Sequence, residues 1–126
     1  MRFMTLLKAG DNSKAGPPPA ELFMAIGTLG EEAMKAGVLV DTAGLAPSAM
    51  SGTRISLSNG NLDVSDGPFN NGTELGSYAL YEVNSKEEVI DWATRFMNLH
   101  KEHWAGWEGE TEILQVFGPD DFSPPA

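Results

Sequence analysis

The strongest constraint on the fold is an Asn59-Gly60 pair that stands between two runs of alternating apolar and polar residues. Both residue types tolerate a positive φ, which the tight two-residue turn of a β-hairpin requires. Because successive residues of a strand point to opposite sides, each run places its apolar residues on one side. These residues are Ile55 and Leu57 before the turn and Leu62 and Val64 after it. The pattern predicts a hairpin that is buried on one side.

Four further strands and two amphipathic helices accompany this hairpin. The strands are predicted at Arg2 to Leu7, Val38 to Val40, Ser77 to Val83 and Thr111 to Phe117. The first helix is predicted from Ala20 to Ala36, where apolar residues recur at helical spacing before Gly37 ends it. The second begins at a capping box, Ser85-Lys86-Glu87-Glu88, and runs to about Leu99. This order is the βαββαβ pattern of a ferredoxin-like α+β domain with an added hairpin.

The same pattern predicts how the sheet is covered. In a ferredoxin-like domain both helices lie on one face of the sheet, so the other face stays open. We expect that open face to be apolar and to include Phe3, Ile55 and Leu57 or their alternates. Because a monomer rarely exposes so large an apolar surface, the expected assembly is a homodimer.

The chain length fits one domain that buries its own core, and we assign residues 1–126 to it, with 118–126 as a C-terminal tail. No apolar run approaches the roughly 20 residues that span a bilayer. The start of the chain also lacks the apolar region of a signal peptide. We therefore expect a cytoplasmic protein that has no membrane partner.

The charge and the missing motifs exclude several classes of function. Eighteen acidic and eight basic residues give a net charge of −10, which repels phosphate backbones, so we expect no nucleic-acid partner. The chain has no cysteine, which excludes thiolate metal sites and cysteine nucleophiles. It also lacks a glycine-rich phosphate loop and a Gly-x-Ser-x-Gly elbow. We predict that the protein uses no cofactor.

Several segments taken together resemble the YCII-like proteins, specifically the DGPF-domain branch. These segments are Arg2 to Leu7, Lys35 to Leu39, Gly44 to Ser48, Arg54, Asp66-Gly67-Pro68-Phe69, Ser85 to Glu88 and Glu110 to Glu112. The resemblance covers nearly all of the chain. It implies a small α+β protein whose sheets pair into a dimeric α+β barrel. In the wider family it also implies an enzyme built on a helix histidine and an aspartate, and one relative is similar to a dehydrochlorinase that acts on a lactone ring.

The chain departs from that catalytic pattern. Ile26 stands where the helix histidine would be, and Ala46 stands where many relatives carry a histidine before the proline. The segment after Phe69 is also one residue shorter, which leaves the alignment of Glu74 open. The sequence therefore leaves open whether the protein is an enzyme.

Asp66 is the candidate catalytic residue, because it places a carboxylate on a rigid turn between two predicted strands. It would accept a proton if an apolar cleft raised its pKa above the ordinary value of about 4. The structural alternative is that Asp66 orders the turn by accepting backbone hydrogen bonds, which would lower its pKa. Both roles can hold at once.

Four residues near this turn are candidate ligand contacts: Arg54, Phe69, Tyr78 and Tyr81. Arg54 points away from the apolar side of the hairpin, where it would bind a ligand carboxylate or pair with an acidic side chain across the hairpin. Phe69 belongs to the same turn as Asp66. The two tyrosines lie on opposite faces of their strand, so one can present a hydroxyl group to a cleft while the other packs in the core.

His100 and His103 complete the candidate ligand contacts. They lie one helical turn apart with Glu102 between them, a spacing that lets two imidazoles share a face and hold a divalent metal. A third ligand and a known metal motif are both missing, so we predict no metal site. The alternative is a lid that Trp104 and Trp107 pack against the core.

Three functions fit these residues. The first is a small dimeric protein that binds a small organic ligand in a cleft near Asp66. The second is a cofactor-independent acid/base enzyme of the lyase or isomerase type, in which Asp66 moves a proton and Arg54 or a tyrosine steadies negative charge. The third is a structural or regulatory dimer without catalysis.

Overall fold

A computed structural model describes residues 1–69 and 73–122, and the fold is α+β, as predicted. The strands are β1 (Arg2–Ala9), β2 (Leu39–Gly44), β3 (Thr53–Ser58), β4 (Asn61–Asp66), β5 (Glu74–Glu82) and β6 (Glu110–Gln115). The helices are α1 (Ala20–Lys35), α2 (Ser48–Ser51) and α3 (Lys86–His103). Part of the predicted tail forms a 3-10 turn, Pro119–Phe122, and residues 123–126 lie outside the described residues.

Four strands form one antiparallel sheet in the order β2, β5, β1, β6. The connection through α1 joins β1 to β2 and passes over β5, while the connection through α3 joins β5 to β6 and passes over β1. Both helical connections therefore skip one strand. This arrangement is compatible with a ferredoxin-like domain.

The core lies between this sheet and the two long helices. Phe3 on β1 stands opposite Tyr81 on β5, so both side chains point to the face that the helices cover. The buried cluster consists of Phe3, Ala33, Val38, Tyr81, Val83 and Val89. Leu22 and Val89 are the largest side chains that are fully buried among the described residues. The amphipathic stripes of the helices and one side of the sheet together account for this core.

The residues on the open face of the sheet differ from those that the sequence predicted by name. Phe3 is only 4% exposed and lies under the helices, and Ile55 and Leu57 belong to a different sheet. Residues alternate along a strand, so the neighbour of Phe3 on β1 faces the other way. The apolar row that crosses the open face consists of Met4, Leu80 and Leu114. Leu114 is 56% exposed, so this row is incompletely covered within the described chain.

The predicted hairpin is confirmed, and it forms a two-stranded sheet of its own from β3 and β4. Asn59 and Gly60 have φ angles of 51° and 78°, as the tight turn requires. The expectation that one side is buried is wrong for the described chain. All four apolar side chains of the hairpin are between 65% and 73% exposed. Alternation tells which residues share a side, but it does not tell whether anything covers that side.

The predicted cap of α3 by Ser85 is confirmed, and the Glu88 carboxylate reaches one residue further back than in a standard capping box. The Ser85 hydroxyl accepts a hydrogen bond from the Glu88 backbone N–H at 3.2 Å, and the Glu88 carboxylate accepts one from the Asn84 N–H at 2.9 Å. The helix then continues past its predicted end at Leu99 to His103. Neither α3 nor any other helix among the described residues is both long and apolar enough to cross a membrane.

Removing this cap should lower stability without changing the fold. We expect Ser85→Ala to reduce the free energy of unfolding by about 1 kcal/mol, because an N–H group at the helix start loses its acceptor. The melting temperature should fall by about 3–5 °C. Thermal unfolding followed by circular dichroism measures this. Ser51→Ala is the matched control, because Ser51 is exposed in the last position of α2 and caps no helix start. An equal loss in both variants would contradict the role of Ser85.

Candidate functional site

A cleft of about 460 Å³ lies where the end of β1, the loop before α2, the turn after β4 and the start of β5 meet. Its walls include Lys8, Leu45, Ser48, Phe69, Glu74 and Leu75. The volume falls within the range of about 300–1,000 Å³ that is typical of small-molecule sites. The lining joins apolar side chains to a few polar groups, as such sites do.

Ser48 holds two walls of this cleft together. Its side-chain hydroxyl donates a hydrogen bond to the Glu74 carboxylate at 2.6 Å and accepts one from the Phe69 backbone N–H at 3.0 Å. The Ser48 backbone N–H lies 3.4 Å from the other Glu74 oxygen. Ser48 is only 6% exposed, so these bonds form away from water. The Phe69 N–H, the Ser48 hydroxyl and the Glu74 carboxylate form a chain of hydrogen bonds, which we call the relay. It fixes Phe69 and Glu74 relative to each other.

The Asp66-to-Phe69 turn packs tightly against α2. The Gly67 backbone N–H donates a hydrogen bond to the Gly52 carbonyl at 2.8 Å, and the peptide bond from Gly67 to Pro68 is cis. A Cβ atom at position 67 would overlap the carbonyl group of Ser48. Glycine is therefore required at this position by the close approach of two backbones.

Asp66 lies beside the cleft and does not line it. It is the last residue of β4, it is exposed, and its carboxylate accepts a long hydrogen bond of 3.4 Å from the Thr53 hydroxyl across the hairpin. The acidic side chain in the cleft wall is Glu74. The predicted catalytic carboxylate therefore does not belong to the cleft lining, whereas a second carboxylate, that of Glu74, does.

Arg54 and Phe69 lie together, as a ligand-contact role would require. The Arg54 guanidinium carbon lies 4.3 Å from the centre of the Phe69 ring, which is a cation–π contact. Arg54 points away from the apolar side of the hairpin, as predicted, but the partner that it meets is this ring. Because Phe69 also lines the cleft, Arg54 supports one wall of the cleft from outside.

The two tyrosines lie on opposite faces of β5, as predicted, and neither is among the residues that line the cleft. The Tyr78 hydroxyl donates a hydrogen bond to the Asp41 carboxylate at 2.9 Å on the open face. That bond and the nearby negative charge raise the pKa of Tyr78. Tyr81 is 7% exposed within the core, and burial raises its pKa. Each hydroxyl is therefore kept protonated at neutral pH.

The two histidines are not brought to one site. His100 is 4% exposed, and its neutral ring donates from Nδ1 to the Phe96 carbonyl at 2.9 Å. Its ring centre lies 4.7 Å from the rings of both Phe96 and Trp107. The His103 Nε2 atom lies 4.0 Å from the Glu102 carboxylate near the surface. Among the described residues, no group of three or more side chains suited to hold a metal comes together.

The buried imidazole makes stability depend on pH. Burial lowers the pKa of His100 below its ordinary value of 6.5, so the unfolded chain binds a proton more readily than the folded one. Stability should therefore be unaffected by this group above pH 6.5, and should decrease as the pH falls below it. Urea unfolding at pH 7.5 and pH 5 measures the effect. His100→Phe should remove this part of the pH dependence, whereas the control His103→Gln should keep it. The prediction would be contradicted if stability depended on pH in the same way in both variants.

Sequence reasoning missed Ser48 and Glu74 as a pair and missed Lys8 as part of the wall. The Lys8 ammonium lies 2.7 Å from the Glu112 carboxylate, and this hydrogen bond raises the pKa of Lys8. Ser48 follows a proline in an irregular segment, and Glu74 follows a polar stretch, so no local pattern marks either residue. Only the packing of the start of α2 against the start of β5 joins them.

Comparisons with known proteins add little to this site. The chain matches no protein-family model and no curated protein. Among solved structures it is similar to an amidase of the hydantoinase/carbamoylase family from Burkholderia phymatum, with 19% sequence identity and a TM-score of 0.30. The match covers 93% of this chain and 28% of that chain, so this chain spans just over a quarter of its length. A likeness at this level carries no functional argument.

Proposed function

We propose that the protein is a YCII-like protein of the DGPF branch that binds a small organic molecule in the cleft beside Asp66. The observation that carries this proposal is the convergence of Ser48, Phe69, Glu74 and Lys8 on one cleft of about 460 Å³. An aromatic ring, a carboxylate and apolar walls offer a ligand both area and orientation.

The rigidity of the site supports binding. Ser48 fixes the backbone of Phe69 and the carboxylate of Glu74, and the Arg54 guanidinium packs over the Phe69 ring. Side chains that are held before the ligand arrives lose less freedom when it binds. We favour binding over acid/base catalysis because Asp66 lies exposed at the end of β4, where an apolar cleft does not surround it.

We also propose that the domain is ferredoxin-like and works as a homodimer in which sheets pair into an α+β barrel. The antiparallel order β2, β5, β1, β6 supports the first part. The apolar row on the open face, Met4, Leu80 and Leu114, supports the second. A second copy that covers this row would remove it from water.

Ligand binding is tested first by a thermal-shift screen of aromatic amines, aromatic acids, hydroxy acids and lactones. A ligand present at about 100 times its Kd should stabilise the protein by about 2.7 kcal/mol. Isothermal titration calorimetry of the best compound then locates the site. We expect Phe69→Ala to weaken binding at least tenfold, which corresponds to about 1.4 kcal/mol.

The matched control is Phe23→Ala, which removes the same atoms from a side chain on α1 that is 60% exposed. Binding to this variant should equal binding to the unmodified protein. A compound that binds both variants with unchanged affinity would place the ligand elsewhere and contradict the proposal. Glu74→Gln tests the carboxylate separately, because it keeps the shape of the side chain and removes its charge.

A further inference from the structure

The hairpin carries an apolar surface that the described chain leaves uncovered. We call it the hairpin strip, and it consists of Ile55, Leu57, Leu62 and Val64. Ile55 pairs with Val64 and Leu57 pairs with Leu62, so all four side chains share one side. They are 68%, 71%, 73% and 65% exposed in the order of the chain. The strip is a continuous apolar patch and not a set of scattered residues.

This surface is patterned for burial. The opposite side of the same two strands carries only polar residues: Arg54, Ser56, Ser58, Asn61, Asp63 and Ser65. A hairpin with one apolar and one polar side is typical of a sheet that packs against something on one side. A two-stranded sheet alone is at best marginally stable in water. We therefore expect another protein surface to pack against the strip.

The base of the hairpin borders the ligand cleft, because Gly52, the residue before β3, lines it. The Gly67 N–H bonds to the Gly52 carbonyl at 2.8 Å, and the Thr53 hydroxyl bonds to Asp66. One residue further into the hairpin, Arg54 packs on the Phe69 ring. The direction in which the hairpin points therefore sets the position of Arg54 and of the ring that lines the cleft.

The apolar area of the strip can be compared with the area that a stable dimer buries. Full burial of an exposed aliphatic side chain of this size removes roughly 60–120 Å² of apolar surface from water. The four side chains are already partly covered, so the strip offers roughly 150–350 Å². A stable dimer buries about 800 Å² on each partner. The strip alone is too small, and the apolar row on the open face of the large sheet supplies further area on the same chain.

Charge indicates which partner fits. The chain carries a net charge of −10, so two copies repel each other over most of their surface. The four side chains of the strip are uncharged, and the carboxylate on the same side of the hairpin, Asp66, lies at its base. The centres of protein interfaces are depleted of charge. In a two-fold dimer, each such patch is used twice, which doubles its contribution. A second copy therefore meets least repulsion where these uncharged surfaces face it.

We propose that the hairpin strip docks on the second copy of the dimer, and that this contact holds Arg54 and Phe69 in place at the ligand cleft. The inference rests on the proposed homodimer. It adds that the cleft is complete only when the partner is present.

The absence of cysteine allows a direct test, because a single introduced cysteine is the only thiol in the chain. Leu57→Cys places a thiol on the strip. Ser58→Cys places a thiol at the next residue, on the opposite, polar side of the hairpin. Reaction rates with a maleimide are measured across a dilution series, and sedimentation velocity reports the assembly at each concentration. We expect Leu57→Cys to react at least tenfold more slowly than Ser58→Cys where the protein is dimeric, and equally fast after dilution to monomer.

The other outcomes overturn the inference in different ways. Equal rates in the dimer would mean that the strip is not at the interface, while the homodimer itself would stand. Protection that persists in the monomer would mean that the strip is covered by its own chain. A monomer at every concentration would overturn both the inference and the proposed homodimer, yet ligand binding would remain separately measurable by calorimetry.

A second variant measures the energetic effect. Ile55→Thr combined with Val64→Thr keeps β-branched side chains that favour strands and removes apolar area from the strip. We expect the dimer dissociation constant to rise at least tenfold, and ligand affinity to fall at concentrations where the variant is monomeric. Ser58→Thr combined with Ser65→Thr is the matched control on the polar side. A dissociation constant that changes equally in both would overturn the inference.

Discussion

Gly67→Ala is expected to reduce the free energy of unfolding by about 3 kcal/mol, at the upper end of the range for added atoms in a tightly packed site. The added methyl group would overlap the Ser48 carbonyl, which is rigid backbone and cannot rotate away. The melting temperature should fall by roughly 10 °C. Because the turn must move, Phe69 should also shift, and ligand affinity should fall with stability. Chemical denaturation and calorimetry measure the two effects.

Gly27→Ala is the matched control for this prediction. Gly27 is exposed on α1, and a Cβ atom at this position would meet no described atom within 4 Å beyond the adjoining backbone of its own helix. Alanine is the better helix former by about 1 kcal/mol, so this variant should be more stable than the unmodified protein. If both substitutions changed stability in the same direction and by the same amount, the close contact at Gly67 would not be the cause of the stability loss in Gly67→Ala.

Ser48→Ala is expected to reduce the free energy of unfolding by about 2 kcal/mol. The substitution leaves the Glu74 carboxylate and the Phe69 N–H without their shared partner, and hydrogen bonds to charged groups contribute about 1.5–3 kcal/mol. Heteronuclear NMR should show the largest shift changes at Phe69 and Glu74. These changes would show that the relay fixes the cleft walls.

Ser51→Ala serves as the control for Ser48→Ala, because Ser51 lies in the same short helix and is exposed. Its substitution should change stability by less than about 0.5 kcal/mol. An effect of Ser48→Ala as small as that of Ser51→Ala would mean that the relay contributes nothing to the site. Ligand affinity measured in parallel separates a loss of stability from a loss of cleft geometry.

Short-range features of the fold were readable from the sequence. The Asn59-Gly60 turn has the predicted positive φ angles, and the Ser85 hydroxyl accepts the predicted hydrogen bond from the Glu88 N–H, while the Glu88 carboxylate bonds to Asn84. In each case the residues that interact lie within a few positions of one another. Residue type and spacing alone then determine the local geometry, because the chain between them has few ways to fold.

The members of the site were only partly readable. The sequence singled out the turn with Asp66 and Phe69, and Phe69 does line the cleft. It did not find the relay, since Ser48 lies 21 residues from Phe69 and 26 from Glu74. A serine that follows a proline and a glutamate at a strand start carry no pattern that links them. Their contact depends on where the start of α2 meets β5.

The alternation of the strands determined which side chains share a side, both in β1 and in the hairpin. Only the tertiary structure decided which of those sides is covered: Phe3 lies under the helices, and the hairpin strip lies exposed. The physical reason is that alternation is a property of one strand's backbone geometry. Burial is a property of what packs against the strand, which is set by distant segments of the chain or by a second molecule.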